Sequence, residues 1–410
     1  MSAAAAAAAT GVLRQALALS LGAAVSLGLA RFSYALLLGP MRADLGWRYF
    51  TAGVMNTCNA AGYLLGALLM PRLMARFGPR AAFLGGGLVT AVLLVGHGLV
   101  HSDAALMGLR VASGAASAAT FVAGGLLAAR LGGTALAAGS AWLNAGLVLG
   151  LYYGGAGLGI VVSALLVPAV ERPGAAHGWQ AAWWALGAVA LLMSVLMARG
   201  TAADAPAPPG QQGAAALPWR RLGWALAGYG CFGLGYIGYM TFIVSLLREQ
   251  QLASGLITAF YVTLGLGVMA SSWLWAGLLQ RWRGGQAMAM LNALLALATL
   301  LPVLSKHPLA VFGSGALFGA VFLSVVASTT ALVRHNLPPA AWSRGITAFT
   351  IVFAAGQIAG PSAVGLVADG AGGLARGLAM SAALLALGAL LAAWQKPLQP
   401  LQALQPLQPS

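Results

Sequence analysis

Long apolar stretches recur along this chain, each close to the ~20 residues that a helix needs to cross a bilayer. Short clusters of Arg, Pro and Gly separate them. Twelve can be delimited: 16–39, 50–74, 81–100, 104–129, 138–167, 179–197, 222–247, 254–279, 287–304, 309–333, 346–367 and 374–394. Residues 1–10 are an Ala-rich run with no basic n-region, and the apolar stretch that follows outruns a signal-peptide core, so the first stretch reads as a retained helix. The pattern predicts an all-α polytopic membrane protein of twelve transmembrane helices.

The polar interruptions divide this series in two. Residues 200–218 form the one long Pro-rich polar break, after the sixth stretch and before Arg220 and Arg221. The predicted organisation is a tail (1–15), a six-helix half (16–199), a cytoplasmic linker (200–220), a second six-helix half (221–395) and a disordered tail (396–410). Gly155–Gly159 in span five and Gly356–Gly360 in span eleven fall at matching places in the two halves. Parallel repeats of this kind suit a pseudo-symmetric transporter bundle.

Composition closes other classes. Hydrophobic residues are 60% and charged residues 7% of 410, with a mean hydropathy of +0.87. A soluble enzyme, a nucleic-acid module or a disordered chain needs far more charge, a soluble domain about 25%. The net charge of +15 therefore reads as basic loops at a membrane, with no nucleic-acid partner. With the N-terminus inside, thirteen Lys and Arg fall on the cytoplasmic side, six outside and two within spans. That bias places both termini in the cytoplasm. Arg outnumbers Lys by 19 to 2, as in GC-rich bacterial genomes, which suggests a bacterial inner membrane. Cys58 and Cys231 build neither a disulfide framework nor a metal site. Without HExxH, Walker or GxSxG context, the expectation is a protein that is not an enzyme and needs no cofactor or metal.

Charge within the hydrocarbon region costs at least ~2.5–3.5 kcal/mol and calls for a reason. Arg31 lies seven residues below the outer end of span one, about 10 Å deep at 1.5 Å per residue. Its planar, permanently charged fork suits a carboxylate or phosphate; the alternative is a structural Arg bonded to helix carbonyls or snorkelling outward. Tyr34 shares its helical face. Asn56, Asn59 and Tyr63 form a polar stripe on span two. Tyr229, Phe232, Tyr236 and Tyr239 form an aromatic stripe on span seven, more often packing than ligand surface, with Tyr236 and Tyr239 favoured because their hydroxyls need partners. Gln357 calls for a polar partner in mid-span, either another helix or the substrate. Asp44, Asp103, Glu171, Asp204, Glu249 and Asp369 all fall in loops or at span ends. Asp44, Glu171, Asp204 and Glu249 are accordingly expected to be dispensable for flux, whereas Asp103 and Asp369 are gate candidates. Embedded Arg without embedded acid points to an anionic substrate.

The sequence after span two, Pro71-Arg-Leu-Met-Ala-Arg76-Phe-Gly78-Pro-Arg80, resembles the major facilitator loop signature G-x-L-x-D-R-x-G-R. Arg76 and Gly78 fall on its Arg and Gly, while Pro71, Ala75 and Pro79 replace its first Gly, its Asp and its second Arg. The equivalent loop of the second half, Gly277 to Gly284, puts Arg281 where an acid is often found. Arg110-Val-Ala-Ser-Gly114 is similar to the family's R-x-x-x-G element. The stretch from Gly28 through Arg31-Phe32-Ser-Tyr34 to Pro40-Met41 resembles the opening of the YbfB/YjiJ-like branch, as do Asn56 to Gly66 and Gly356-Gln357-x-x-Gly360-Pro361.

The resemblance implies the major facilitator fold, with spans one and four lining the cavity. It implies gating or coupling roles for Arg110, Arg76, Gly78 and Arg281, and the missing Asp at Ala75 puts the family's inner latch in doubt. A role in helix packing is equally open for Arg110. The combined expectation is a monomeric secondary transporter that moves a small organic anion by rocker-switch alternating access, with a proton as candidate coupling ion. Arg31, Tyr34, Asn59, Tyr236, Tyr239 and Gln357 are its candidate substrate-binding residues. Efflux of neutral or hydrophobic compounds is the first alternative, and a non-transporting membrane sensor the second.

Overall fold

The computed structural model describes residues 3–137, 145–172, 174–202, 219–338 and 341–398. Most of the proposed linker, the start of the fifth span, the end of the tail and Asp204 lie outside the described residues. Span one is built of α1 (Ala3–Ala23), a π-helical segment (Ala24–Phe32) and α2 (Tyr34–Leu45). The first half continues with α3 (Tyr49–Phe77), α4 (Pro79–His97), α5 (Asp103–Ala137), α6 (Ala145–Val170) and α7 (Gln180–Gly200). The second half holds α8 (Gly223–Glu249), α9 (Ser254–Leu274), the short α10 (Ala276–Arg281), α11 (Gln286–Leu304), α12 (Pro308–Asn336), α13 (Trp342–Ala368) and α14 (Gly373–Ala393). Among the described residues, eleven helical spans are long and apolar enough to cross a membrane. The twelfth is α3, whose 29 residues carry Asn56 and Asn59 in mid-helix.

Small residues set the packing, because lipid tails compete with any apolar contact between membrane helices. A Cβ on Gly155 would sit 1.9 Å from the Ser20 carbonyl oxygen, and one on Gly159 2.4 Å from that of Ala24. The same contact recurs in the second half, where Gly356 and Gly360 press α13 onto the carbonyls of Gly230 and Leu234 in α8. Span five thus packs on span one as span eleven packs on span seven, which is the repeat that the two glycine pairs suggest. Spans one and seven are the central helices, with 94% and 83% of their most apolar stretch buried, against 22–56% elsewhere. Leu192, Leu266, Leu366 and Leu390 point outward, as a lipid-facing belt requires.

Span one runs to Leu45, six residues beyond its expected end at Gly39. Pro40 does not stop it, since neighbouring helices can absorb the lost hydrogen bond. Arg31 is consequently fourteen residues from the helix end, about 21 Å along the axis at 1.5 Å per residue, and not about 10 Å.

The ends opposite the termini are drawn together across the halves. Asp369, at the C-terminus of α13, accepts hydrogen bonds from the Tyr49 and Phe50 amides at 2.8 and 3.0 Å. It therefore caps the first turn of α3 from the other half. Arg48 adds an ion pair at 3.5 Å. The Tyr49 hydroxyl bonds to Glu249, and Arg248 approaches Glu171 at 3.9 Å. Burial pushes the Glu171 carboxyl up, opposed by Arg248. Glu171 and Glu249, expected to be dispensable for flux, thus make contacts at this end. If Asp369 holds this end closed, Asp369→Ala should lower the melting temperature of the purified protein, the cap alone being worth about 0.5–2 kcal/mol. Asp369→Asn, which keeps an acceptor, should recover part of the loss. An unchanged melting curve for Asp369→Ala would show that the cap carries no weight.

Candidate functional site

The site begins with a defect in span one. The Ser33 amide bonds back to Gly28, a π-type step in place of the α-helical one, and such a shift frees carbonyls at the junction. Side chains take three of them. The Ser33 hydroxyl donates to Leu29 at 2.5 Å, Arg110 Nη1 to Ala30 at 3.0 Å and the Tyr261 hydroxyl to Phe32 at 2.7 Å. The last of these crosses between the halves.

Arg110 is fully engaged. Its Nε donates to the Met55 carbonyl at 3.3 Å and its Nη2 to Asn56 Oδ1 at 3.0 Å. Its guanidinium also lies 4.6 Å from the Tyr34 ring centroid. Asn56 passes the connection on, donating to Thr241 in α8 at 2.7 Å. The candidates around it also have partners, although Asn59 Oδ1 is buried without one. The Tyr34 hydroxyl donates to the Ala52 carbonyl at 2.9 Å. Asn59 donates to the Arg110 carbonyl at 3.2 Å and to Ser113 at 3.3 Å. Both lie against the α3–α5 packing and not beside Arg31.

Arg31 is buried, 4% exposed, and far less well served. Its Nη2 donates to Gln357 Oε1 at 2.9 Å, and Gln357 in turn donates to the Tyr236 hydroxyl. Its guanidinium stands 5.6 Å from the Tyr63 ring. Its Nε has no hydrogen-bond partner, and among the described residues no carboxylate lies within ion-pair distance. The fold thus joins three candidates, Arg31, Gln357 and Tyr236, in one chain across the two halves.

Tyr239 is separate from that chain. Its hydroxyl meets Ser314 at 2.6 Å and its ring stacks on Phe318 at 3.9 Å. Tyr229, Phe232 and Tyr236 stack in a row at 5.4 and 4.8 Å, with Phe353 of α13 against all three. The stripe packs α8 on α13, and Tyr236 is the member whose hydroxyl reaches the arginine chain. Thr241 and Tyr261 were missed in the sequence, where each is a single polar group in an apolar helix.

At the end carrying the termini, Gly78 (φ 82) separates α3 from α4 and bonds its amide to Met74 at 2.9 Å. Arg76 lies 5.3 Å over the Phe77 ring, and Arg281 ends α10 exposed. All five described acids sit at the opposite end, so no described carboxylate can latch these arginines.

Two six-helix halves that meet through a buried arginine chain define a membrane transporter. The family described as "Uncharacterised MFS-type transporter YbfB" matches residues 23–393, and the chain belongs to it. A chloramphenicol resistance protein of Streptomyces lividans is 28% identical over 377 residues, covering 88% of this chain and 93% of that protein. Two solved structures share the fold. One is a bacterial homologue of the human lysosomal transporter Spinster, inward-facing and unoccupied, with TM-score 0.66, 14% identity and 96% of each chain covered. The other is the nucleoside transporter NupG, with TM-score 0.68, 12% identity, and 93% of this chain and 97% of that one covered.

The two buried arginines should respond oppositely to neutralisation. Arg110→Met strips two carbonyls and an amide of their donor, each worth about 1–3 kcal/mol when left unpaired, and should lower the melting temperature sharply. Arg31→Met removes an incompletely paired charge and should leave the melting temperature equal or higher. Equal destabilisation by both substitutions would contradict this difference.

Proposed function

We propose that this protein is a secondary active transporter of a small organic anion, working by rocker-switch alternating access. One observation carries the reading: Arg31 is a permanent charge buried in span one, with a free Nε and, among the described residues, no acidic counterpart. A carboxylate or phosphate would supply what the protein withholds, through two parallel charge-assisted bonds. In this scheme the anion meets Arg31 on the first half, while Gln357 and Tyr236 receive it on the second. Arg110, Asn56, Tyr34 and Asn59 hold span one in the shape that presents Arg31, and Tyr239 fixes α8 against α12. Arg76, Gly78 and Arg281 shape the opposite gate. The proposed setting is a bacterial inner membrane with both termini cytoplasmic, the working unit a monomer and the coupling ion a proton.

Export of neutral or hydrophobic compounds is the second reading. The Streptomyces relative named for chloramphenicol resistance favours it, as does the row of aromatic rings beside Tyr236.

Flux in proteoliposomes separates the two. A transported anion should lose roughly 10- to 100-fold in apparent affinity with Arg31→Gln, the equivalent of about 1.5–3 kcal/mol of charge-assisted bonding. Arg31→Lys should recover part of it, since an ammonium lacks the bidentate fork. Anion flux in Arg31→Gln equal to wild type, together with chloramphenicol export, would transfer the assignment to efflux.

A further inference from the structure

A cavity lies at the end opposite the termini, away from the arginine chain. It has a volume of about 290 Å³ and is lined by Arg42 of α2, Tyr49 of α3 and Ser245, Arg248 and Glu249 of α8, so both halves build it. Arg42 follows Arg31 by eleven residues on span one, and Ser245 follows Tyr236 by nine on α8. The cavity and the central site are therefore carried by the same two helices, separated by about 14–16 Å at 1.5 Å per residue.

Gly39 and Gln251 complete the lining, which carries two guanidiniums and one carboxylate. The Arg42 guanidinium stacks 3.9 Å over the Tyr49 ring, with no carboxylate in ion-pair distance among the described residues. Its Nε is buried and without a partner. The Ser245 hydroxyl is 5% exposed and also has no partner. Arg248 has only a long contact with Glu171, at 3.9 Å. Glu249 is already the acceptor of the Tyr49 hydroxyl. Buried donors left open in this way are unfavourable unless something accepts from them.

The geometry points to a second anion site here, between α2 and α8, for a small carboxylate or phosphate held by Arg42, Arg248 and Ser245. An anion in this cavity competes with Glu171 for Arg248. Occupancy therefore loosens one of the ties that close this end, and the site is a docking station for an anion arriving from that side. The assignment stands apart from the ligand of the central site, because it rests on different donors.

The test is isothermal titration of the purified full-length protein with citrate and with inorganic phosphate. It is run on wild type, Arg31→Gln, Arg42→Gln, Arg42→Lys and Ser245→Ala, with melting curves as a check on folding. The expected result is that Arg31→Gln retains binding of one of these anions, and that adding Arg42→Gln to it weakens the retained binding at least about tenfold. Arg42→Lys and Ser245→Ala should each cause a smaller loss. Loss of all anion binding in Arg31→Gln, or unchanged binding when Arg42→Gln is added, overturns the vestibule site while leaving the central reading intact. Binding that survives Arg31→Gln in full and vanishes with Arg42→Gln supports the vestibule and counts against the central site. A parallel titration with phosphatidylglycerol in detergent separates the sources: binding by the lipid but by neither soluble anion overturns a docking role for solutes.

Discussion

A guanidinium in a membrane cannot shed its charge, so the surrounding helices must satisfy its five N–H donors or leave room for something that will. This chain buries two of them within its spans and answers differently for each. The π segment of span one gives up carbonyls at the point where Arg110 arrives, and Arg110 takes Ala30, Met55 and Asn56. The helix defect and the arginine are complementary: each satisfies groups that the other leaves open. Arg31, in the same segment, obtains one neutral amide and retains a free Nε. On the proposed reading, that inequality separates a structural charge from a receptive one.

Both arginines also tie the halves together, Arg110 through Asn56 to Thr241 and Arg31 through Gln357 to Tyr236. Asn56 crosses to Thr241 by a neutral hydrogen bond, worth about 0.5–1.5 kcal/mol, and Arg31 crosses to Gln357 by a charged one, worth about 1.5–3 kcal/mol. The end opposite the termini is held through carboxylates, with Asp369 capping α3 and Arg48 and Arg248 facing acids. Moving a two-state equilibrium from one side to the other takes about 5.5 kcal/mol of differential binding. A few caps, partly exposed ion pairs and central hydrogen bonds are of that order. An anion that draws Arg31 away from Gln357 would therefore act on a balance it can shift.

How much of this was legible follows from the kind of signal involved. The spans could be read because crossing a bilayer demands long apolar runs, and the glycine pairs could be read because close helix contact demands small residues. Pro40 misled the end of span one, since a proline that neighbouring helices accommodate looks like one that ends a helix. Arg31, Gln357 and Tyr236 stand 326 and 121 residues apart in sequence, yet each was visible as a polar group in an apolar helix. Their union was not visible, nor was the contrast with Arg110, because a π-helical step leaves no mark in residue order. The acid-rich end was within reach: with the N-terminus inside, five of the six acids fall on one side of the membrane. Taken one by one as loop charges, Glu171 and Glu249 gave no sign of their partners, Arg248 and Tyr49, which only the fold brings to them.

The most direct test of the central claim, that Arg31 is held open for an anion, is a thermal-shift screen of the purified protein. Carboxylates, phosphates, sugars, chloramphenicol and lipophilic cations would be compared on wild type and on Arg31→Gln. The account predicts that at least one anion raises the melting temperature of wild type and loses most of that effect in Arg31→Gln, while uncharged and cationic compounds raise neither. Stabilisation by an uncharged or cationic compound in both proteins, with no anion acting on wild type, would contradict it.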